Sequence, residues 1–149
     1  MDKKTISFIS LKLCREKEII YEPKRIKKAE DCISLLFEII GDSAKEQFII
    51  LALNSQNEPN AIEICSMGTS EMALVHPREV FKTALLCNAV KIIIAHNHPS
   101  GSVKPSEEDI RMTKHLILAS EILGVPILDH IIVGNHRYFS FAESGIIPR

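Results

Sequence analysis

Tryptophan and long apolar runs are both absent from the 149-residue sequence. The longest uncharged apolar runs, residues 48–53 and 92–95, are far shorter than the ~20 residues that a membrane-spanning helix needs, so a membrane protein is excluded. Residues 1–5 do not lead into the apolar stretch of a secretory signal, and we therefore expect a cytoplasmic protein. The content of 46% hydrophobic and 25% charged residues is ordinary for a folded chain, which excludes disorder as the main state.

The four cysteines form no C-x-x-C pair, which excludes the usual zinc-knuckle and thioredoxin motifs. Because we expect a cytoplasmic location, Cys14, Cys32, Cys65 and Cys87 are interpreted as reduced thiols. Cys65 and Cys87 lie in apolar runs, where a free cysteine usually acts as a small hydrophobic side chain of the core.

The formal net charge of −1 hides an asymmetry along the chain. Residues 1–28 contain nine Lys/Arg and four Asp/Glu, a net +5, so the remainder carries −6. A basic segment of this kind could contact phosphate groups or an acidic partner. We favour the simpler interpretation, a solvated lysine-rich surface, which is the commoner situation for a run of charge.

Apolar periodicity predicts alternating strands and helices. Residues 25–40 have helical spacing before Gly41, a candidate C-terminal cap, and Pro77 opens a helix that runs to about residue 88. The short β-branched run 91–95 is typical of a central strand covered on both faces. The other predicted elements are one or two strands within residues 5–14, a hairpin of 47–54 with 61–66, a helix over 106–123, a strand over 126–133, and a tail, 137–149, that closes an edge.

This order of elements predicts an α/β fold, a layered mixed sheet flanked by helices. We divide the chain into two parts. Residues 1–43 form a basic N-terminal segment, a strand plus a helix, that packs on the domain or leads into it. Residues 44–149 form the domain itself.

The informative stretch begins where the buried strand 91–95 ends. His96 and His98 are two residues apart in an extended segment, so both rings can point to one side. The residues Pro-Ser-Gly that follow force a turn, and the next helix starts near Ser106, which brings Asp109 within reach. Two histidines and one aspartate are a suitable set of ligands for a catalytic zinc ion, because three protein ligands leave the fourth tetrahedral position open.

Each part of this pattern also has a structural interpretation. A lone histidine is more often structural than a ligand, and Ser106-x-x-Asp109 before an apolar run is also the pattern of a helix capping box. Asp109 cannot easily serve both tasks at once. Glu46, at the start of a predicted strand, would usually be solvated. His130, within an apolar strand, is either a partner that orients a metal ligand or a core histidine with satisfied hydrogen bonds.

The spacing His96-x-His98-x7-Ser106-x2-Asp109 matches the motif of the JAMM (MPN+/JAB) metalloprotease superfamily position for position. The run His-Asn-His-Pro-Ser-Gly over residues 96–101 resembles the bacterial RadC branch of that superfamily. Further matches lie at residues 75–81, 88–89 and 128–134. The resemblance covers residues 44–146.

This resemblance implies a cytidine-deaminase-like fold and a role for each motif residue. His96, His98 and Asp109 would ligate zinc, while Ser106 would donate a hydrogen bond to the oxyanion or orient the bound water. Glu46 matches the glutamate that serves as general acid/base, ahead of the other acidic candidates, which are Glu63, Glu71 and Glu79. The helix-hairpin-helix module that RadC proteins often carry at the front is not seen in the residues before Glu46.

The leading hypothesis is therefore a zinc-dependent hydrolase that cleaves a peptide or isopeptide bond in a peptide or protein substrate. The alternative is an accessory protein of a family traditionally labelled as DNA repair, which associates with DNA or a DNA-processing complex without proteolytic activity. The basic segment 1–28 supports this alternative. A zinc nucleobase deaminase is excluded, because that chemistry needs H-x-E and P-C-x-x-C, whereas position 98 is histidine and no C-x-x-C is present.

Overall fold

The centre of the molecule is a five-stranded mixed sheet with the strand order β2-β1-β3-β4-β5. A computed structural model describes residues 3–22, 25–67 and 75–148. The β3–β4 pair is parallel and the other three pairs are antiparallel. The strands are β1 (Gln47–Leu53), β2 (Pro59–Met67), β3 (Lys91–Asn97), β4 (Ile127–Gly134) and β5 (Arg137–Ser140). The predicted α/β class, the β1–β2 hairpin and the closing edge strand are all confirmed.

Helices cover both faces of this sheet. One face carries α1 (Glu30–Leu36), which continues as a π-helical turn (Phe37–Gly41), and its core includes Ile49, Ile93 and Ile131. The other face carries α2 (Pro77–Leu86) and α3 (Glu107–Leu123). Alternate residues of the same strands enter that second core, namely Ile50, Ile94 and Ile132. Burial on both faces explains why the central strands are continuously apolar.

The same alternation decides which way the polar residues at the strand ends point. His96 continues the alternation of Ile92 and Ile94, and His130 shares that of Ile132, so both histidines face α3. In the parts of the chain that the structure describes, no helix is both long and apolar enough to cross a bilayer.

The predicted strand within residues 5–14 is not formed. Residues 3–18 are exposed throughout and belong to no helix or strand, and the side chains of Ile6 and Phe8 lie in solvent. Alternating residues create only a local preference, and a strand needs a partner edge to satisfy its backbone groups. No described strand pairs with this segment, so the prediction was wrong.

The helix predicted over residues 25–40 begins five residues later. The carboxylate of Asp31 accepts hydrogen bonds from the backbone N–H groups of Lys27 (2.8 Å) and Lys28 (3.1 Å), which holds these residues outside the helix. Ile26 donates its backbone N–H to the Asn57 carbonyl in the β1–β2 turn at 2.9 Å, which ties the segment to the sheet. Gly41 is the last residue of the π-helical turn and not a cap beyond it.

Candidate metal centre

Two elements meet to build the candidate site, the carboxyl end of β3 and the first turn of α3. His96 is fully buried near the end of β3. The backbone N–H of His98 donates to the Val133 carbonyl at 2.9 Å, which prolongs the parallel pairing with β4 and keeps this residue extended. The two rings therefore face each other, with their Nε2 atoms 3.0 Å apart. The turn that follows is closed by Gly101, whose N–H donates to the His98 carbonyl at 2.9 Å.

The Asp109 carboxylate lies next to the Nε2 atoms of both imidazoles. Oδ1 lies 3.3 Å from Nε2 of His96, and Oδ2 lies 3.4 Å from Nε2 of His98. One ligand atom from each of the three residues lies within 4.8 Å of the others. The structure therefore brings together the three residues that the motif spacing selected, and they form a group that could hold a metal ion.

The capping box of α3 is built from the same aspartate. The Ser106 hydroxyl accepts a hydrogen bond from the Asp109 backbone N–H at 3.0 Å, and the Ser106 backbone N–H donates to Oδ2 of Asp109 at 2.8 Å. The capping interpretation is confirmed, and the same carboxylate also faces both histidines. An ionised carboxylate has about four lone-pair sites on two oxygens, so Oδ2 can cap the helix while both oxygens face the histidines.

Electrostatics keep this carboxylate ionised. Burial acts to raise the pKa of Asp109, but the adjacent imidazoles of His96 and His98 outweigh that effect and hold the pKa well below its usual range. The adjacent Asp109 carboxylate in turn raises the pKa of His98, against the effect of burial. A buried anion beside two imidazoles is the arrangement that a divalent cation would neutralise.

The donor chemistry of these residues fits such a cation. Nδ1 of His98 lies 2.7 Å from the Ser102 carbonyl, which can only accept, so this nitrogen carries a proton. In the neutral ring Nε2 then keeps its lone pair for a metal ion. Two imidazole nitrogens and a carboxylate oxygen are ligands that zinc takes in catalytic sites.

A second layer of side chains lies behind His96. His130 is fully buried, and its Nε2 lies 2.8 Å from Nδ1 of His96. Its Nδ1 lies 2.6 Å from the hydroxyl of Thr113, one turn after Asp109 on α3. Burial holds the pKa of His130 well below its usual range, and the adjacent His96 acts in the same direction. Of the two interpretations of His130, its direct contact with the candidate ligand His96 favours a partner that orients a metal ligand. Sequence reasoning missed Thr113, although its position four residues after Asp109 places it on the same face of the helix.

Glu46 lies at the same end of the sheet as the three ligand candidates. It is partly buried at the entrance to β1. Its charge contributes to raising the pKa of His98, after the larger effects of Asp109 and the Ser102 carbonyl. Glu46 is therefore close enough to the site to act on it electrostatically.

The other acidic candidates are not brought to this site by the described parts of the structure. Glu63 accepts a hydrogen bond from Thr83 between β2 and α2. Glu79 pairs with Lys82 on the exposed side of α2. Glu71 lies outside the described residues.

Asn97, between the two histidines, ties the loop of Glu46 to β3. Its side chain is 2% exposed, and its Oδ1 accepts a hydrogen bond from the Gln47 backbone N–H at 2.7 Å. Its Nδ2 donates to the carbonyls of Ser43 (3.2 Å) and Lys45 (3.1 Å). Sequence reasoning did not single out Asn97. The sequence feature that could have identified Asn97 is its position as a polar residue at the end of a fully buried strand.

Comparison with known proteins places this site in a family. A profile described as RadC-like JAB domain matches residues 26–146, so the match begins just before α1 and includes the whole sheet. A UPF0758 protein of Methanosarcina mazei is 41% identical over 134 residues, which is 89% of this chain and 58% of that protein.

Two further relatives are slightly more similar in sequence. UPF0758 proteins of Desulforamulus reducens and Caldanaerobacter subterraneus subsp. tengcongensis are 45% identical over 122 residues and 46% over 120. The alignments cover 82% and 80% of this chain but only 54% and 52% of those proteins, so the chain spans just over half the length of these relatives. The extent of the profile match and these identities show that the chain belongs to the RadC-like JAB domain family.

Proposed function

We propose that this protein is a zinc-dependent hydrolase that cleaves a peptide or isopeptide bond. The observation that carries the proposal is the convergence of two imidazole nitrogens and one ionised carboxylate at the carboxyl end of a buried strand. His96, His98 and Asp109 would hold the ion. Three protein ligands are the number found in catalytic zinc sites, whereas structural sites usually have four.

When bound, zinc supplies a Lewis acid that polarises a carbonyl and lowers the pKa of water towards ~7. The chain's own residues must then hold the carbonyl, move a proton and stabilise the charge that develops. The entrance to β1 and the start of α3 supply polar groups for the last two tasks.

Glu46 is the proposed proton carrier. A general base takes the proton from the attacking water and returns it to the leaving amine, which requires a carboxylate near the ligands but not bound among them. Glu46 meets this requirement, because its charge acts on His98 while His96, His98 and Asp109 form the ligand group without it. Asn97 holds the preceding and following backbone, so the carboxylate has a fixed starting point.

Ser106 is the proposed donor to the oxyanion. Its oxygen accepts from the Asp109 N–H, and among the described contacts its hydroxyl hydrogen has no acceptor. A hydroxyl fixed in this way can donate to a negative charge that develops next to it without reorganising. Removing a single donor of this kind commonly costs ~100–1,000-fold in turnover.

Metal analysis of purified protein tests the ligand assignment. We expect about one zinc per chain in the wild type and little in Asp109→Asn, which keeps an oxygen for the capping box but loses the charge. Glu108→Ala, on the exposed side of the same turn, is the matched control and should keep its zinc. A wild-type protein that does not take up zinc, or an Asp109→Asn variant that binds it equally well, would refute the proposal.

Hydrolysis of a peptide library and of isopeptide-linked substrates tests the role of Glu46. Glu46→Gln should retain zinc but lose turnover by ~100-fold or more, because the amide cannot carry the proton. Glu143→Gln, which leaves the site untouched, is the control. Equal hydrolysis by Glu46→Gln and wild type would remove Glu46 from this role.

A second candidate function, association with DNA, rests on the basic segment 1–28. The structure leaves residues 3–18 exposed throughout, so their charges are accessible to a phosphate backbone. Fluorescence anisotropy of a labelled duplex should then show binding that weakens steeply with salt, since each phosphate contact contributes a slope of about −0.9. The triple variant Lys3→Gln, Lys4→Gln, Lys12→Gln should reduce this slope, whereas Lys114→Gln on α3 should not. Salt-independent binding, or none, would refute this candidate.

A further inference from the structure

The buried side chains behind His96 form a continuous chain of short polar contacts that the proposed hydrolysis does not use. His96, His130 and Thr113 are each fully buried. The chain of contacts runs from Nδ1 of His96 to Nε2 of His130 (2.8 Å) and from Nδ1 of His130 to Oγ1 of Thr113 (2.6 Å). It ends where Oγ1 of Thr113 meets the backbone carbonyl of Asp109 (2.6 Å). Each of these three short contacts between buried polar atoms needs a proton.

The position of every proton follows from the carbonyl at the end of the chain. A carbonyl oxygen only accepts, so the Thr113 hydroxyl must donate to Asp109. Its oxygen is then the acceptor for His130, which must carry its proton on Nδ1. A neutral imidazole has one N–H, so Nε2 of His130 is left with a lone pair. That lone pair accepts the proton on Nδ1 of His96.

The outcome at His96 is a fixed tautomer. With its proton on Nδ1, the ring turns an unprotonated Nε2 towards His98 and Asp109. Independently, the Ser102 carbonyl, 2.7 Å from Nδ1 of His98, holds a proton on that nitrogen. The backbone of Asp109 therefore sets the tautomer of one histidine, while the carboxylate of Asp109 faces the same histidine's Nε2 at 3.3 Å.

Packing holds the middle of the chain in place. The His130 ring stacks on Phe141, with centroids 4.5 Å apart and an interplanar angle of 12°. Phe48 contacts both histidines, at a centroid distance of 5.7 Å from His130 and 6.0 Å from His96. These aromatic neighbours restrict the rotation of the two histidine rings and so favour the hydrogen-bond directions given above.

We propose that Thr113 and His130 are positioning residues that lock His96 in the tautomer able to bind a metal through Nε2. The inference rests on the proposed metal site, but it concerns a different property, the proton arrangement of the ligand set before a metal binds. Partners that orient a metal-bound histidine in this way typically contribute ~10–100-fold in metal affinity.

Nitrogen NMR of the metal-free protein measures the tautomer directly. In ¹⁵N-labelled wild type, His96 should be protonated on Nδ1. In Thr113→Val, which has the same shape but no hydroxyl, part or all of this proton should move to Nε2 of His96. Thr113→Ser, which keeps the hydroxyl, should give the wild-type spectrum. His115→Gln, at an exposed position on the same helix, is the matched control.

Zinc affinity in a chelator competition gives the second readout. Thr113→Val and His130→Leu should bind ~10–100-fold more weakly than wild type, and Thr113→Ser and His115→Gln within about threefold of it. His130→Gln, whose amide can both accept and donate, should retain more affinity than His130→Leu.

Two results separate the roles of Thr113 and His130 from the proposed function. In the first, the wild type takes up no zinc, but His96 is protonated on Nδ1 in the wild type and not in Thr113→Val. The hydrolase proposal then fails, whereas the proposal that Thr113 and His130 set the His96 tautomer stands. In the second, Thr113→Val is folded and keeps both the wild-type His96 tautomer and the wild-type zinc affinity. The positioning role of Thr113 and His130 is then overturned, whatever the catalytic activity of the variant. Thermal unfolding of each metal-free variant shows which of them are folded.

Discussion

Replacement of Asn97 by alanine is the sharpest test of how Glu46 is positioned. The variant removes three hydrogen bonds, from the Gln47 N–H at 2.7 Å and to the Lys45 and Ser43 carbonyls at 3.1 and 3.2 Å. Each buried bond of this type contributes ~0.5–1.5 kcal/mol net, so the expected loss in the free energy of unfolding is ~2–4 kcal/mol. At ~2–4 °C per kcal/mol for a chain near this size, the unfolding temperature should fall by ~4–16 °C.

The functional expectation differs from the stability expectation. Asn97→Ala leaves all three ligand residues in place, so zinc stoichiometry should remain about one per chain under the proposed function. Hydrolysis should nevertheless fall by at least ~10-fold, because a misplaced catalytic group loses much of its advantage. Asn60→Ala, at an exposed position on β2, should change neither property.

The assay is differential scanning calorimetry of the metal-free protein, followed by metal analysis and turnover of the same preparations. A change in unfolding temperature below ~2 °C would show that the three contacts contribute far less than their burial implies. Loss of zinc together with activity would show that Asn97 supports the ligands and not the loop of Glu46. Either result would refute the role of Asn97 as the residue that holds Glu46 in position.

Two further predictions concern packing and thiol reactivity. A Cβ at Gly134 would lie 3.1 Å from the carbonyl oxygen of Gly101, in the turn after His98. Gly134→Ala should therefore displace that turn and weaken zinc binding by ~10-fold in a chelator competition. An unchanged zinc affinity would contradict this prediction. Burial, with Asp129 as a smaller contribution, raises the pKa of Cys32 to about 12, whereas Cys14 is exposed. At pH 8 an alkylating reagent should therefore modify Cys14 within minutes and Cys32 only when the protein unfolds. Mass spectrometry of the labelled peptides measures both rates, and equal labelling of the two cysteines in the folded protein would contradict the prediction.

Local rules were sufficient for much of the site. The i, i+2 spacing of His96 and His98 at the end of an apolar strand predicts that the rings share a side, and the structure shows their Nε2 atoms 3.0 Å apart. The S-x-x-D pattern predicts a helix start, and α3 begins directly after Ser106 with a complete capping box. Both are properties of backbone geometry over a few residues, so they can be read without knowing the fold. The α/β class followed in the same way from the order of periodic segments.

Other features depend on residues far apart in the chain. Sequence alone determined the ligand spacing, the helix cap and the fold class, because each is fixed by neighbours within a turn or a strand. Only the tertiary structure decided that His130 and Thr113, 17 residues apart, meet behind His96, and that Asn97 reaches Ser43 across 54 residues. It also decided that residues 5–14 form no strand, since strand formation requires a partner edge that no local pattern can supply.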